Sequence, residues 1–287
     1  MPASVEKAFA VTQATWRFLA NERVTPTALA EPLRDFAKQQ LGDDSYVLAV
    51  TDWSKLDYKN HTAKKDTVQL THKHDVGYEL TTHLLVSAEH GRPIAPVQMH
   101  LKTANGILST LATPPADNEP HLDQVAPLMR ATAAMKLSAK VVHVIDREAD
   151  SVFHYRQWHA EGFLFLIRCN DRLVHWQDRL MKCSEVEKRL DFTQSRSVSI
   201  NGKPGIQYVA ETDIVLKRSA KRKKSGRSIS IPGESLTLRL VMVRVVDPKS
   251  GEILGTWYLL TNVPADVSAE RLALWYYWRW QISALLS

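Results

Sequence analysis

Two apolar segments that each stop on an aspartate constrain this chain more than anything else in it. In KVVHVIDREAD, Lys140–Asp150, the run Val141, Val142, Val144 and Ile145 has the β-branched character of a buried strand, and it ends abruptly at Asp146. In YVLAVTD, Tyr46–Asp52, a second apolar run ends on Asp52. A carboxylate at the carboxyl end of a buried strand lies where open α/β sheets place their chemistry. One such aspartate alone is more often a helix cap. Two of them, on strands able to lie side by side, point to a shared site.

The 287 residues suffice for a large core in one big domain or two modest ones. Charged residues at 24% and hydrophobic ones at 44% are those of an ordinary globular protein. The net charge of +6 favours an acidic partner, nucleic acid being the commonest. Two cysteines, Cys169 and Cys183, cannot build a disulfide scaffold, so a reducing cytoplasm is expected. No run reaches the ~18 apolar residues of a membrane span. The start, MPASVEKAFAVTQ, lacks a signal peptide's basic and apolar regions.

Met1–Gly42 reads as helical. Thr25 before Pro26 is a start signal, and Pro32 is expected to kink or restart the second helix. This segment is either a helical hairpin packed on the main domain or the remnant of a small DNA-binding domain. Tyr46–Asp52 is then the first core strand, and Trp53–Lys65 is polar and turn-like. Alternation predicts strands near Tyr78–Ser87 and Ile94–Lys102, joined by a turn at His90–Pro93. A Pro-rich loop, Thr113–Pro120, leads into a helix over His121–Lys136 with Leu122, Val125, Leu128 and Met129 on one stripe. The Lys140–Asp146 strand, a helix opening at Arg147 and running to Ala160, and a strand at Phe163–Arg168 follow. Three meander strands, then helix, strand, helix and strand, is the element order of an RNase H-like domain. In that fold the first and fourth strands are neighbours, which would bring Asp52 and Asp146 together.

Asn170–Gly255 changes character. Alternating segments at Ser197–Ile200, Gln207–Lys217, Ser235–Val246 and Ile253–Leu260, with turns at Asn201-Gly202 and Lys249–Gly251, read as a β-rich insertion. Within it KRSAKRKKSGR, Lys217–Arg227, holds seven basic residues in eleven, either a solvated hairpin tip or a phosphate-binding run. Ser268 is placed to cap a last helix, Ala269–Leu286, rich in aromatics. At helical spacing Tyr276, Arg279 and Ser283 fall within a stripe of about 60°. Two strand-end aspartates suit hard cations, Mg²⁺ or Mn²⁺, which serve phosphoryl transfer. There is no Cys/His spacing for zinc and no phosphate-cradling glycine loop. His72 and His74 sit in a polar loop and read as surface residues.

The motifs VTDWSKLDY, VIDREAD, FLIRCNDR, WYLLT and YYWRWQI, in that order, resemble the DDE transposases of the insertion-sequence-four family, the group of the Tn-five transposase. The resemblance runs from about Trp16 to Ile282. It implies an α/β architecture with an RNase H-like core interrupted by the β-insertion: a helical remnant over 1–44, core over 45–169, insertion over 170–255, and the last strand and helix over 256–287. It implies metal-dependent cleavage and joining of double-stranded DNA at transposon ends, by a homodimer, in a bacterial cytoplasm at the nucleoid. Asp52 and Asp146 fall on the first two metal-binding acids. Arg168 matches a DNA-contacting arginine after the fifth strand. Trp257 falls on the tryptophan that stacks a flipped base. Tyr276 and Arg279 match groups that hold phosphate, and Lys221, Arg222, Lys223 and Lys224 are the expected DNA contacts of the basic run. Asp57, Glu148 and Asp150 read as structural, in a turn and in the first turn of a helix.

The pattern breaks at Ser283, where the family carries its third acid, and no acid occurs in 271–287. The chain therefore reads as a truncated transposase, inactive for want of that charge. The alternative is a non-catalytic DNA-binding remnant that inhibits an intact copy or does nothing. A plain RNase H-like nuclease leaves WYLLT and the YYWR helix unexplained.

Overall fold

A computed structural model describes residues 5–224 and 227–286. Side chains of residues 5–7, 222–228 and 283–286 lie outside what it describes. Two helices come first, α1 (Val5–Leu19) and α2 (Pro26–Gln40). The strand β1 (Tyr46–Asp57) is followed by the short β2 (Val68–Gln69), β3 (Val76–Ser87), β4 (Pro93–Thr103) and β5 (Gly106–Ser109). Then come α3 (His121–Ala134), β6 (Lys140–Ile145), a 3₁₀ turn (Arg147–Ala149), α4 (Val152–Ala160) and β7 (Leu164–Cys169). The region after it holds β8 (Leu173–Trp176), β9 (Arg179–Lys182), α5 (Cys183–Glu187), β10 (Thr193–Ile200) and β11 (Lys203–Leu216). It continues with β12 (Ala220–Lys224), β13 (Arg227–Ile231), β14 (Leu236–Val246) and β15 (Ile253–Thr261), and α6 (Ala269–Leu286) closes the chain.

The protein is α/β. Among the described residues one mixed sheet runs β5-β4-β3-β1-β6-β7-β15-β14-β11-β8-β9, with β10 on β11 and β2 on β3. Its centre, β1-β6-β7, is parallel, and both wings are antiparallel. The central strands are largely apolar up to Val50, Ile145 and Ile167, because both faces are covered there. Ala37 of α2 and Leu41 just after it pack on Val47, Ala49 and Val97, while α3 and α4 pack on Ile145, Phe165 and Ile167. On the opposite face α6 covers Leu48, Val50, Val142, Val144, Leu166 and Leu259.

Helix α6 is apolar nearly all round, which suits a helix gripped from two sides. One side lies on the sheet; on the other, Tyr277 and Trp280 meet Val198 and Ile200 of β10. The Tyr277 hydroxyl donates to the Ser199 carbonyl at 3.0 Å, and Trp275 Nε1 donates to the Ala88 carbonyl at 2.9 Å. Gly91, at φ +67°, makes the β3–β4 turn and lies under Trp278, where a Cβ would come within 2.4 Å of the indole. Any side chain there would both strain the turn and lift the helix.

Several expectations are corrected. The strand β1 runs five residues past Asp52, because Trp53–Asp57 keep pairing with β3 and Trp53 stacks on His121 at 5.7 Å. Pro32 does not restart α2, which is one helix from its Thr25 cap to Gln40. Arg34 pins that helix by donating to the Val97 and Thr110 carbonyls. No continuous helix opens at Arg147: a 3₁₀ turn ends at Ala149, and α4 starts only at Val152. Arg168 lies inside β7 rather than after it. The region 170–255 is β-rich as expected, and among the described residues its strands, apart from the β12–β13 hairpin, extend the central sheet through β15. No helix among the described residues is long and apolar enough to cross a membrane.

Candidate active site

Register sets the site. Thr51 pairs with Ile145, and Ile145 pairs with Ile167, so the next residues, Asp52, Asp146 and Arg168, stand level on three neighbouring strands. Arg168 in turn faces Leu259 of β15. Alternation then sets their direction. Leu48 and Val50, Val142 and Val144, and Leu164 and Leu166 all pack beneath α6, so the residue that follows each pair belongs to the same face. The sequence reading expected the first and fourth core strands side by side, and the pairing of β1 with β6 puts Asp52 and Asp146 on neighbouring strands, about 4.8 Å apart.

Helix α6 lowers Tyr276 and Arg279 onto that row. Arg279 is 5% exposed, and its Nη1 lies 3.6 Å from Asp52 Oδ1. The Ser54 hydroxyl also donates to Asp52, at 3.3 Å. Asp146 caps the 3₁₀ turn, its Oδ1 accepting the Glu148 N–H at 2.7 Å. Tyr276 is buried, and burial is the main reason its phenol is held above its usual pKa; Asp146 pushes the same way, while Arg279 and Arg168 oppose it. Arg168 is near enough to the hydroxyl to act on it, though not in ordinary hydrogen-bond geometry. The Arg279 guanidinium lies 5.1 Å from the Tyr276 ring centroid. The row thus joins two carboxylates, two guanidiniums and a buried phenol.

Trp257, half-buried two residues before Leu259 on β15, lies one step beyond the row on the same face. With Ile200, Val243, Tyr276 and Tyr277 it lines a small apolar pocket. Its ring lies along its own strand over Gly255, where a Cβ would come within 3.1 Å. The basic hairpin is elsewhere. Lys221 is exposed on β12, which packs against α4 on the far side of the sheet from α6. Arg222, Lys223 and Lys224 belong to β12 and Ser283 to α6, but their side chains fall outside the described residues.

The sequence reading gave Glu148 only a helix-start role. Its carboxyl titrates higher than usual, through burial first and then through Asp146 and, more weakly, Asp52; His121 and Lys55 oppose this. The Asp-x-Glu spacing of Asp146 and Glu148 across a tight turn was the available signal. His121, paired with Glu79 at 2.7 Å, was not picked out either. Asp57 keeps its expected turn, accepting the Lys59 N–H at 2.9 Å, and His72 and His74 are exposed.

Among the described residues no group of three or more Asp, Glu, His or Cys side chains is arranged to hold a metal ion. Asp52 and Asp146 are two hard oxygen donors, a set that suits a divalent ion of the Mg²⁺ kind, which keeps several waters and binds through one or two carboxylates. No family model matches the sequence, and no curated protein matches it.

Proposed function

We propose that this chain is an RNase H-like DDE transposase by class, acting on double-stranded DNA at transposon ends, and that Ser283 leaves this copy unable to cut. The observation that carries the reading is the level row Asp52–Asp146–Arg168 with Tyr276 and Arg279 set over it. A phosphodiester laid along the row would meet Arg168, Arg279 and the Tyr276 hydroxyl as donors to its oxygens. Mg²⁺ or Mn²⁺ held by Asp52 and Asp146 would supply neutralising charge at the scissile phosphate and lower the pKa of an attacking water. Trp257 offers a flat ring to a base drawn out of the stack, offsetting part of the unstacking cost. Lys221, Arg222, Lys223 and Lys224 would neutralise phosphates at a distance from the row, adding affinity without sequence preference. The proposed setting is the bacterial cytoplasm at the nucleoid, with a homodimer pairing two ends.

A serine hydroxyl brings no charge to a second ion. Ser283 is therefore the observation that favours the second reading, a DNA-binding chain that does not cleave and that inhibits an intact copy by occupying its ends. Both readings expect the unmodified chain to bind and not nick, so a nicking assay on duplexes carrying candidate element ends, in Mg²⁺, separates them through a variant that restores the acid. Ser283→Glu in a chain extended by further helical turns should nick, and Asp146→Asn should abolish that activity. Robust nicking by the unmodified chain would show that Ser283 is not the missing position. Replacing Lys221 and Lys224 with glutamine should weaken binding to every duplex alike and flatten its salt dependence.

A further inference from the structure

Asp146 directly follows β6, Arg168 is the next-to-last residue of β7, and the pairing between these strands stops at Ile145–Ile167. Beyond that point the turn after β6 and the exit of β7 are joined by Asp150. Its side chain is only 6% exposed, and both of its oxygens are engaged. Oδ1 accepts from the Tyr155 hydroxyl at 2.9 Å and from the Arg172 guanidinium. Oδ2 accepts from the Asn170 backbone N–H at 2.9 Å and from Asn170 Nδ2 at 3.0 Å. The turn on its other side is closed as well. Ala149 N–H bonds the Asp146 carbonyl at 3.1 Å, and Asp150 N–H bonds the Arg147 carbonyl at 3.2 Å.

From this geometry we propose that Asp150 is a positioning residue, clamping the exit of β7 to the Asp146 turn and so fixing the spacing between Asp146 and Arg168. It touches neither phosphate nor ion and acts through the backbone on both sides of it. The inference rests on the reading of Asp146 as an ion-binding acid. The position requires a carboxylate because four donors converge on two acceptor oxygens, one donor being a cation. An asparagine would turn an NH₂ group toward either Arg172 and Tyr155 or Asn170, and one side of the clamp would open.

The test measures the affinity of the full chain for Mn²⁺, from the electron paramagnetic resonance signal of the free ion, and so needs no catalysis. Asp146→Asn should remove binding. Asp150→Asn should weaken it about tenfold, and Tyr155→Phe, which deletes one donor and keeps the charge, about two- to threefold. Arg34→Ala serves as the control, since it loosens α2 far from the site; it should lower the melting temperature and leave Mn²⁺ affinity unchanged. If Asp150→Asn fails to fold, Tyr155→Phe and Asn170→Ala carry the comparison. If Asp146→Asn loses binding while the clamp variants match the unmodified chain, the inference is overturned and the site reading stands. If the unmodified chain binds Mn²⁺ no better than Asp146→Asn, the site reading fails and takes the inference with it.

Discussion

The two faces of the central sheet carry polar residues one position apart and hold them in opposite states. On the α6 face Asp52 lies midway along β1, Asp146 directly follows β6 and Arg168 is the next-to-last residue of β7; there the Asp52 side chain is 21% exposed and Arg279 lies alongside. On the other face Thr51, His83 and His143 are sealed, with His83 and His143 stacked at 5.4 Å between ring centroids. Thr51 Oγ1 and His83 Nδ1 lie 2.8 Å apart, but His83 Nε2 and His143 Nδ1 have no hydrogen-bond partner among the described residues. Burial holds His83 down to about 3 and His143 well below its usual range; His100, whose Nε2 is likewise without a partner there, is lowered to about 4. Within one sheet, a polar group that water and counter-charge reach can carry a charge. A group sealed from both must stay neutral.

The largest effect that tests this contrast is acid instability from the histidine face. An unfolded histidine protonates below pH ~6.5, whereas His83 and His100 resist until about 3 and 4. Their stabilising contribution is therefore complete above pH ~6.5 and is lost progressively as pH falls toward those values, at about 1.4 kcal/mol per pH unit for each buried ring. Urea midpoints taken between pH 7.5 and 5 should show this slope, and His83→Phe should flatten it by one histidine's share. An unchanged slope in that variant would mean that the ring is protonated in the folded protein.

A smaller loss is expected on the charged face from Arg279→Met. Separating a buried pair costs about 3–5 kcal/mol, and solvent at Asp52 reduces this to roughly 2 kcal/mol. The same substitution in an Asp52→Asn background should cost clearly less. Equal costs in the two backgrounds would place the stabilisation elsewhere on α6.

The smallest effect should have the opposite sign. Asp146→Asn keeps an oxygen for the Glu148 N–H and removes a like charge near Glu148, so stability should rise by less than about 1 kcal/mol. The Glu148 carboxyl, followed by carbon-13 NMR, should then titrate lower. A loss above about 2 kcal/mol would make Asp146 a structural residue first.

The chain's local sequence determined a good part of this. Thr25 caps α2, accepting the Ala28 N–H at 3.1 Å, and Ser268 accepts the Arg271 N–H at 3.3 Å. Asn201-Gly202 turns between β10 and β11 with both residues at positive φ. The β-branched runs ending at Asp52 and Asp146 form strands, and their alternation already fixed that each aspartate shares a face with the valines before it. These features depend on neighbours a few residues away, so they can be read from composition and spacing. Only the tertiary structure decided the rest. It paired β1 with β6 and β6 with β7 in a register that levels Asp52, Asp146 and Arg168, and it held α6 between the sheet and β10 so that Tyr276 and Arg279 reach them. It carried β1 past Asp52 through pairing with β3, kept α2 whole across Pro32, and formed the four-residue strands β8 and β9, too short to show a period. Register and helix placement come from contacts between residues tens to hundreds of positions apart, and no local pattern encodes them.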